Sequence, residues 1–169
     1  MSITSDDTNS DGIDCVLPDE AALCSLAHAL WPALTGGLVF HLQGPVGAGK
    51  TAFVRQVLRA GGIQGPVRSP TYTLVELYPL SNLYFYHFDL YRFFDPDEWT
   101  GAGFDEMFGA GSVAMIEWPE KAGDLLPHPD ITLQIDYAPQ GRHFRAFAST
   151  PEGQVCLAAW KHNLPIQPA

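Results

Sequence analysis

The residues best suited to chemistry form the stretch GPVGAGKT, from Gly44 to Thr51. Its spacing matches the phosphate-binding loop pattern G-x-x-x-x-G-K-[ST]. Glycines permit backbone angles that turn several N–H groups inward, and the start of a following helix adds positive potential. In this pattern Lys50 reaches the β- and γ-phosphates of a nucleotide, and the Thr51 hydroxyl binds Mg²⁺. The stretch therefore predicts a nucleotide site, the plain alternative being a glycine-rich turn.

Two carboxylates are candidates for holding Mg²⁺ and positioning water beside this loop. Asp89 ends the apolar run YFYHFD, and Glu117 ends the run VAMIE. In an open α/β sheet, ligands lie at the carboxyl ends of the strands, where both carboxylates would then be found. We therefore expect both to take part in hydrolysis. For each, the alternative is a solvated carboxylate at a strand end.

The tripeptide from Ser69 to Thr71 is a third candidate element. Pro70 fixes its own φ and pushes Ser69 toward an extended shape, which would present Thr71 rigidly. A switch-like contact from Thr71 to Mg²⁺ or the γ-phosphate fits this spacing, and so does an ordinary turn that opens a strand.

The residue after each asparagine indicates the type of base. Guanine-specific GTPases usually carry the pattern Asn-Lys-x-Asp. None of the three asparagines here precedes a lysine: Asn9, Asn82 and Asn163. Adenine is therefore the favoured base.

These groups need a scaffold, which the hydrophobic pattern predicts. Apolar residues repeat at helical spacing from about Asp19 to Leu34, with Asp19 as the N-cap. A strand over 38–42 leads into the glycine loop, and a helix over 50–60 comes after it. Further predicted segments are strand pairs over 72–78 with 84–91 and 131–137 with 143–149, a helix over 96–107 and a strand over 113–116.

Together these segments predict the α/β class. We expect a P-loop NTPase-like single domain with a mixed, largely parallel central sheet flanked by helices and edge hairpins. The domain is predicted over residues 14–160. A disordered, Ser-, Asp- and Asn-rich tail over 1–13 precedes it, and a C-terminal tail over 161–169 comes after it.

Composition narrows the class of function. The chain has 169 residues and a formal net charge of −10, which argues against a direct grip on a nucleic-acid backbone. No apolar run approaches the ~20 residues of a membrane helix, and the first residues lack the features of a secretory signal. The three cysteines, Cys15, Cys24 and Cys156, form no CxxC pair. We expect buried thiols in a cytoplasmic protein.

Four sequence blocks taken together resemble the TsaE (YjeE) family, the bacterial P-loop ATPases of tRNA threonylcarbamoyladenosine biosynthesis. The blocks are GPVGAGKT from Gly44, SPTYTLVE from Ser69, YHFDLYR from Tyr86 and IEWPE from Ile116. They occur in the expected order, and the similarity runs from about Leu17 to Ser149.

The resemblance implies a small, Mg²⁺-dependent ATPase, slow without its partners TsaD and TsaB. Those partners transfer the threonylcarbamoyl group to adenosine 37 of tRNA, and the ATPase supports repeated turnover. The RNA would be held by the partners, in keeping with the acidic charge.

The resemblance also implies roles for individual residues. Lys50, Asp89 and Glu117 would be catalytic, with Thr51 and Glu117 binding Mg²⁺. Nucleotide contacts would come from the loop, the switch segment and the adenine end: Val46, Gly47, Ala48, Gly49, Lys50, Thr51, Thr71, Glu20 and Arg142. Trp118 would lie in the site wall or contact a partner, unless it is simple core packing. Tyr86 and His87 are interpreted as structural.

Two alternatives stay open at this point. The first is a small-molecule P-loop kinase, which usually needs an arginine-bearing lid. The chain has nine Lys plus Arg in total and no arginine-rich stretch, which counts against a lid. The second is a non-hydrolysing nucleotide-binding module that acts only through a partner.

Overall fold

Seven strands form one mixed sheet in the computed structural model, which describes residues 11–165. In chain order the strands are β1 (Ile13–Leu17), β2 (Val39–Gln43), β3 (Val75–Leu80), β4 (Leu83–Asp89), β5 (Ser112–Glu117), β6 (Ile131–Tyr137) and β7 (Arg142–Ala148). Their spatial order is β1-β7-β6-β2-β5-β4-β3. The inner strands β6, β2, β5 and β4 are parallel, and antiparallel pairs extend both ends. The predicted fold class is confirmed.

Four α-helices accompany the sheet: α1 (Glu20–Leu30), α2 (Lys50–Ala60), α3 (Asp97–Ala102) and α4 (Pro151–Asn163). Helix α1 begins as predicted, because the Asp19 carboxylate accepts the Ala22 N–H at 2.9 Å. Helix α2 has the predicted bounds. No helix within residues 11–165 combines the length and apolarity that crossing a membrane requires.

The two faces of the sheet bury separate apolar clusters because strand side chains alternate. On one face, α1, α2 and α4 cover the larger cluster, in which Phe53, Phe144 and Trp160 contact one another. On the other face, Phe88 packs against Trp99 and Phe104, from α3 and the turn after it. The glycine loop follows directly after the carboxyl end of β2 and leads into α2.

The structure moves several predicted boundaries. Ile13, predicted in the tail, pairs with Ala146 in β7, and α4 continues to Asn163, past the predicted limit at residue 160. The predicted helix over 96–107 is two pieces, α3 and a 3₁₀ turn, because Gly103 between them has a φ of 70°. The predicted four-residue turn at Pro79 is also shorter, since β3 continues to Leu80. Predictions for residues 1–10 and 166–169 lie outside the described residues.

Candidate functional site

The glycine loop connects β2 to α2 in a conformation that its three positive-φ glycines, Gly44, Gly47 and Gly49, make possible. Gly44 has a φ of 147°, and a Cβ there would lie 2.1 Å from the Ile135 carbonyl oxygen. Gly49, with a φ of 115°, is the N-cap residue of α2 and leaves the helix start without a side-chain cap. The first N–H groups of α2 are therefore free of a side-chain partner, as an anion site requires.

Most of the predicted site residues line one cavity of about 520 Å³ beside this loop. Its walls are Val46, Gly47, Ala48, Gly49, Lys50, Thr51, Ala52, Arg55, Ser69, Thr71, Asp89, Tyr91, Glu117 and Trp118. The loop, the switch-like segment and both candidate carboxylates thus meet in one place.

The two carboxylates are neighbours because β4 and β5 are parallel and pair Asp89 with Glu117. Both are almost fully buried, at 4% and 3% exposure. The Thr51 hydroxyl donates to Glu117 Oε1 at 2.8 Å. Asp89 accepts the Tyr91 N–H at 2.9 Å through Oδ1, and the Ser69 hydroxyl through Oδ2. Each carboxylate is therefore held in one orientation.

Lys50 is turned back onto the loop. Its Nζ donates to the carbonyl oxygens of Gly44 and Pro45, the latter at 3.1 Å, and lies 4.0 Å from the Trp118 ring centroid. Burial lowers the pKa of Lys50 from its usual 10.5, although Glu117 and other nearby carboxylates act in the opposite direction. The ammonium group is thus held beside the cavity by neutral partners that phosphate oxygens could replace.

Two non-glycine residues at the site have left-handed backbone conformations. Trp118, directly after Glu117, has a φ of 58°, and Leu74 has a φ of 68°. The Leu74 N–H donates to the Pro70 carbonyl at 2.7 Å, and the Leu74 carbonyl accepts the Asp89 N–H at 3.0 Å. Such strain, of the order of 1–2 kcal/mol each, is typical of functional segments. These contacts tie the segment carrying Thr71 directly to Asp89.

The two residues expected near adenine occupy different positions. Arg142 donates from Nε to the Ala48 carbonyl at 3.0 Å and from Nη2 to the Gly47 carbonyl at 3.3 Å, so it supports the loop backbone. Glu20 is exposed at the start of α1 and does not line the cavity. The β6–β7 turn nevertheless contacts the chain just before α1, since a Cβ on Gly141 would lie 2.0 Å from the Leu17 carbonyl oxygen. Contact with a base stays a prediction.

Sequence reasoning did not include two residues of the cavity, Arg55 and Tyr91, and it interpreted His87 as structural. Arg55 and Tyr91 line the cavity, and His87 lies below it with Nε2 2.8 Å from Glu117 Oε1. The signals were present in the spacing: Arg55 comes one helical turn after Thr51. His87 precedes Asp89 by two residues, which places both on one face of β4.

Comparison with known proteins supports the family resemblance that the four sequence blocks indicated. The family model described as threonylcarbamoyl adenosine biosynthesis protein TsaE matches residues 17–145. A tRNA threonylcarbamoyladenosine biosynthesis protein TsaE from Haemophilus influenzae is 42% identical over 125 residues, covering 74% of this chain and 79% of that protein. The protein of the same name from Rickettsia felis is 35% identical over 122 residues, covering 72% and 71%.

A solved structure has the same fold. The crystal structure of Bacillus subtilis YdiB superimposes with a TM-score of 0.73 and covers 90% of this chain and 96% of that one. Sequence identity between the two is 24%, so this likeness concerns the fold alone.

Proposed function

The chain belongs to the TsaE family, as its sequence blocks predicted, and on that basis we propose that it binds ATP with Mg²⁺ and hydrolyses the nucleotide in tRNA threonylcarbamoyladenosine biosynthesis. One observation carries the proposal: the Thr51 hydroxyl and the Glu117 carboxylate are hydrogen-bonded at 2.8 Å beside the phosphate-loop pattern. This pair provides the hydroxyl and the acidic group that Mg²⁺-dependent P-loop NTPases place at the metal.

The residues at the cavity fit a magnesium nucleotide. Hydroxyl and carboxylate oxygens are the ligands that Mg²⁺ prefers, and it is usually bound by one or two carboxylates together with substrate phosphates. Within residues 11–165, no three His, Cys, Asp or Glu side chains form a ready metal cage. When bound, the ion would neutralise charge on the β- and γ-phosphate oxygens. Thr51 and Glu117 would hold it.

The other side chains then have distinct tasks. Lys50 would exchange the Gly44 and Pro45 carbonyls for phosphate oxygens, moving from the Trp118 ring. Asp89, fixed through Ser69 and the Tyr91 N–H, would orient the attacking water or accept its proton. Arg55 lines the cavity, but its Nε donates to the Val67 carbonyl at 2.9 Å. We therefore expect slow hydrolysis unless a partner supplies a further positive group.

The partners are inferred from family membership. We propose that the chain acts with TsaD and TsaB in the cytoplasm, where those proteins would hold the tRNA. The net charge of −10 supports the idea that this chain does not bind the tRNA directly, because direct binding would need clustered basic residues.

The test is ATP hydrolysis by the purified chain, alone and with TsaD, TsaB and tRNA. We expect slow hydrolysis alone and faster hydrolysis with the partners, and we expect Glu117→Gln to lower the stimulated rate about 100-fold. Glu152→Gln, an exposed change at the start of α4, is the matched control and is expected to behave as wild type. Tight Mg²⁺–ATP binding without hydrolysis in either condition would indicate a non-hydrolysing module. Transfer of the phosphoryl group to a small-molecule acceptor would indicate a kinase.

A further inference from the structure

Strand register places His87 next to the candidate metal ligand Glu117, on the neighbouring strand. It precedes Asp89 by two residues on β4, and β4 pairs in parallel with β5 so that Asp89 lies opposite Glu117. His87 is therefore the diagonal neighbour of Glu117 on the same face of the sheet. Its side chain is fully buried, at 0% exposure. Water therefore does not contact the His87 side chain, and its contacts within the protein determine its role.

The hydrogen bonds of Glu117 are divided unequally between its two oxygens. Oε1 lies 2.8 Å from His87 Nε2 and 2.8 Å from the Thr51 hydroxyl. A carboxylate oxygen only accepts, so Nε2 carries the donated hydrogen. Among residues 11–165, no side chain or N–H donates to Oε2, while Glu117 lines the cavity. One oxygen is thus anchored by two donors, and the other is available to the cavity.

The other nitrogen of His87 argues against a role in packing alone. Nδ1 is buried and has no hydrogen-bond partner within the described part of the chain. Leaving a polar atom buried and unpaired costs about 1–3 kcal/mol, which an apolar side chain at this position would avoid. The compensating benefit of histidine is therefore the bond from Nε2 to Glu117.

We propose that His87 is a positioning residue for the metal–nucleotide site. It holds the Glu117 carboxylate so that Oε1 stays with Thr51 and His87 while Oε2 faces the position of the metal ion. This role rests on the proposed function, since it requires a magnesium nucleotide in the cavity. Partners that orient metal ligands in this way commonly change metal affinity about 10- to 100-fold when removed.

The experiment measures the affinity of each variant for a non-hydrolysable ATP analogue, in EDTA and in Mg²⁺. His87→Met removes the donor and keeps an apolar side chain of similar length. We expect it to reduce the gain in affinity due to Mg²⁺ about tenfold, with affinity in EDTA within about twofold of wild type. His87→Gln retains an N–H near the position of Nε2, and we expect it to restore the gain to within about threefold of wild type.

A matched control exists at the other end of the sheet. His143 Nε2 lies 2.6 Å from Asp14 Oδ1, and this pair is far more exposed, at 36% and 61%. His143→Met removes the same kind of contact from outside the site and is expected to leave the Mg²⁺ gain unchanged. Combining His87→Met with Glu117→Gln is expected to give a non-additive loss, because both changes act on one carboxylate.

Three results would overturn the role of His87. These are an unchanged Mg²⁺ gain in His87→Met, an equal loss of affinity with and without Mg²⁺, and an equal loss in the Gln and Met variants. If His87→Met does not fold, His87→Asn replaces it, since the Asn amide is too short to reach the position of Nε2. A wild-type chain whose nucleotide affinity does not respond to Mg²⁺ would instead overturn the proposed function, and the role of His87 with it.

Discussion

Polar side chains at two regions of the sheet differ in how far water reaches them. At the carboxyl ends of β4 and β5, His87, Asp89 and Glu117 are at most 4% exposed. In the antiparallel end, formed by β6, β7 and β1, the similar pair of His143 and Asp14 has side chains 36% and 61% exposed.

This contrast shows that the desolvation cost of polar side chains is concentrated at the carboxyl ends of β4 and β5. A buried carboxylate must be hydrogen-bonded or paired, because its desolvation is otherwise unfavourable by several kcal/mol. An exposed pair contributes only about 0–1 kcal/mol and needs no special support. The same region contains Trp118, whose backbone is strained, beside the partly exposed glycine loop, so strain and buried charge both concentrate at the proposed nucleotide site.

The largest expected effect comes from a change at a glycine of the loop beside the buried carboxylates. In Gly44→Ala the new Cβ would lie 2.1 Å from the Ile135 carbonyl oxygen. We expect the free energy of unfolding to fall by about 3 kcal/mol or more, from overpacking and an unfavourable φ together. Chemical denaturation measures this change. Gly65→Ala is the control, since its Cβ would meet no atom within 4 Å; a similar loss in both variants would contradict the explanation.

The next effect tests the buried charge of the site. Lys50→Ala is expected to weaken ATP binding about 100-fold and ADP binding less, because Lys50 reaches toward the γ-phosphate. Titration calorimetry with both nucleotides measures the ratio. Lys161→Ala, an exposed change on α4, is expected to bind both as wild type does. Equal losses for ATP and ADP in Lys50→Ala would place the lysine away from the γ-phosphate.

A third histidine, His41, extends the comparison because it is half-buried outside the site, with its Nε2 atom buried. Burial is the main cause that lowers the pKa of His41, on β2, from 6.5 to about 4. The unfolded chain therefore binds a proton at higher pH than the folded chain does. The contribution to stability is fully present above pH 6.5 and is lost as the pH falls toward 4.

Between pH 7 and pH 4.5, this single group is expected to remove about 2 kcal/mol of stability. The glutamine in His41→Gln is not protonated in this range. Between pH 7 and pH 4.5, the free energy of unfolding of the variant is therefore expected to fall by about 2 kcal/mol less than that of wild type. Urea denaturation of both proteins at several pH values measures the difference. Parallel pH profiles for wild type and variant would show that folding does not favour the neutral form of His41.

The smallest expected effect is in the antiparallel end. Asp14→Asn weakens the exposed pair with His143, and we expect a loss of less than about 1 kcal/mol that decreases further in high salt. Thermal unfolding at low and high salt measures it. A loss as large as that of Gly44→Ala would mean that this end is not governed by solvent screening, and the contrast between the two regions would fail.

Prediction from sequence succeeded where local pattern was sufficient. Helix α2 has the predicted bounds, and the strands predicted over 84–91 and 113–116 are present as β4 and β5, which end at Asp89 and Glu117. Strand β1 and helix α4 were not predicted, and both are held in place by contacts with other segments. Ile13 pairs with Ala146, and Gly153 of α4 packs against the Asp130 backbone, where a Cβ would lie 2.1 Å from the carbonyl oxygen.

Local sequence was enough to identify the family and to select the candidate site residues: a phosphate-loop pattern with Lys50 and Thr51, and two carboxylates after apolar runs. Those features depend on neighbouring residues, through glycine conformation, strand alternation and helix capping. The tertiary fold was needed to settle which side chains meet, namely Thr51 and His87 on the same oxygen of Glu117, and Lys50 against Trp118. The physical reason is that these contacts join residues far apart in the sequence, so they depend on which strands pair and where the helices pack rather than on neighbouring residues.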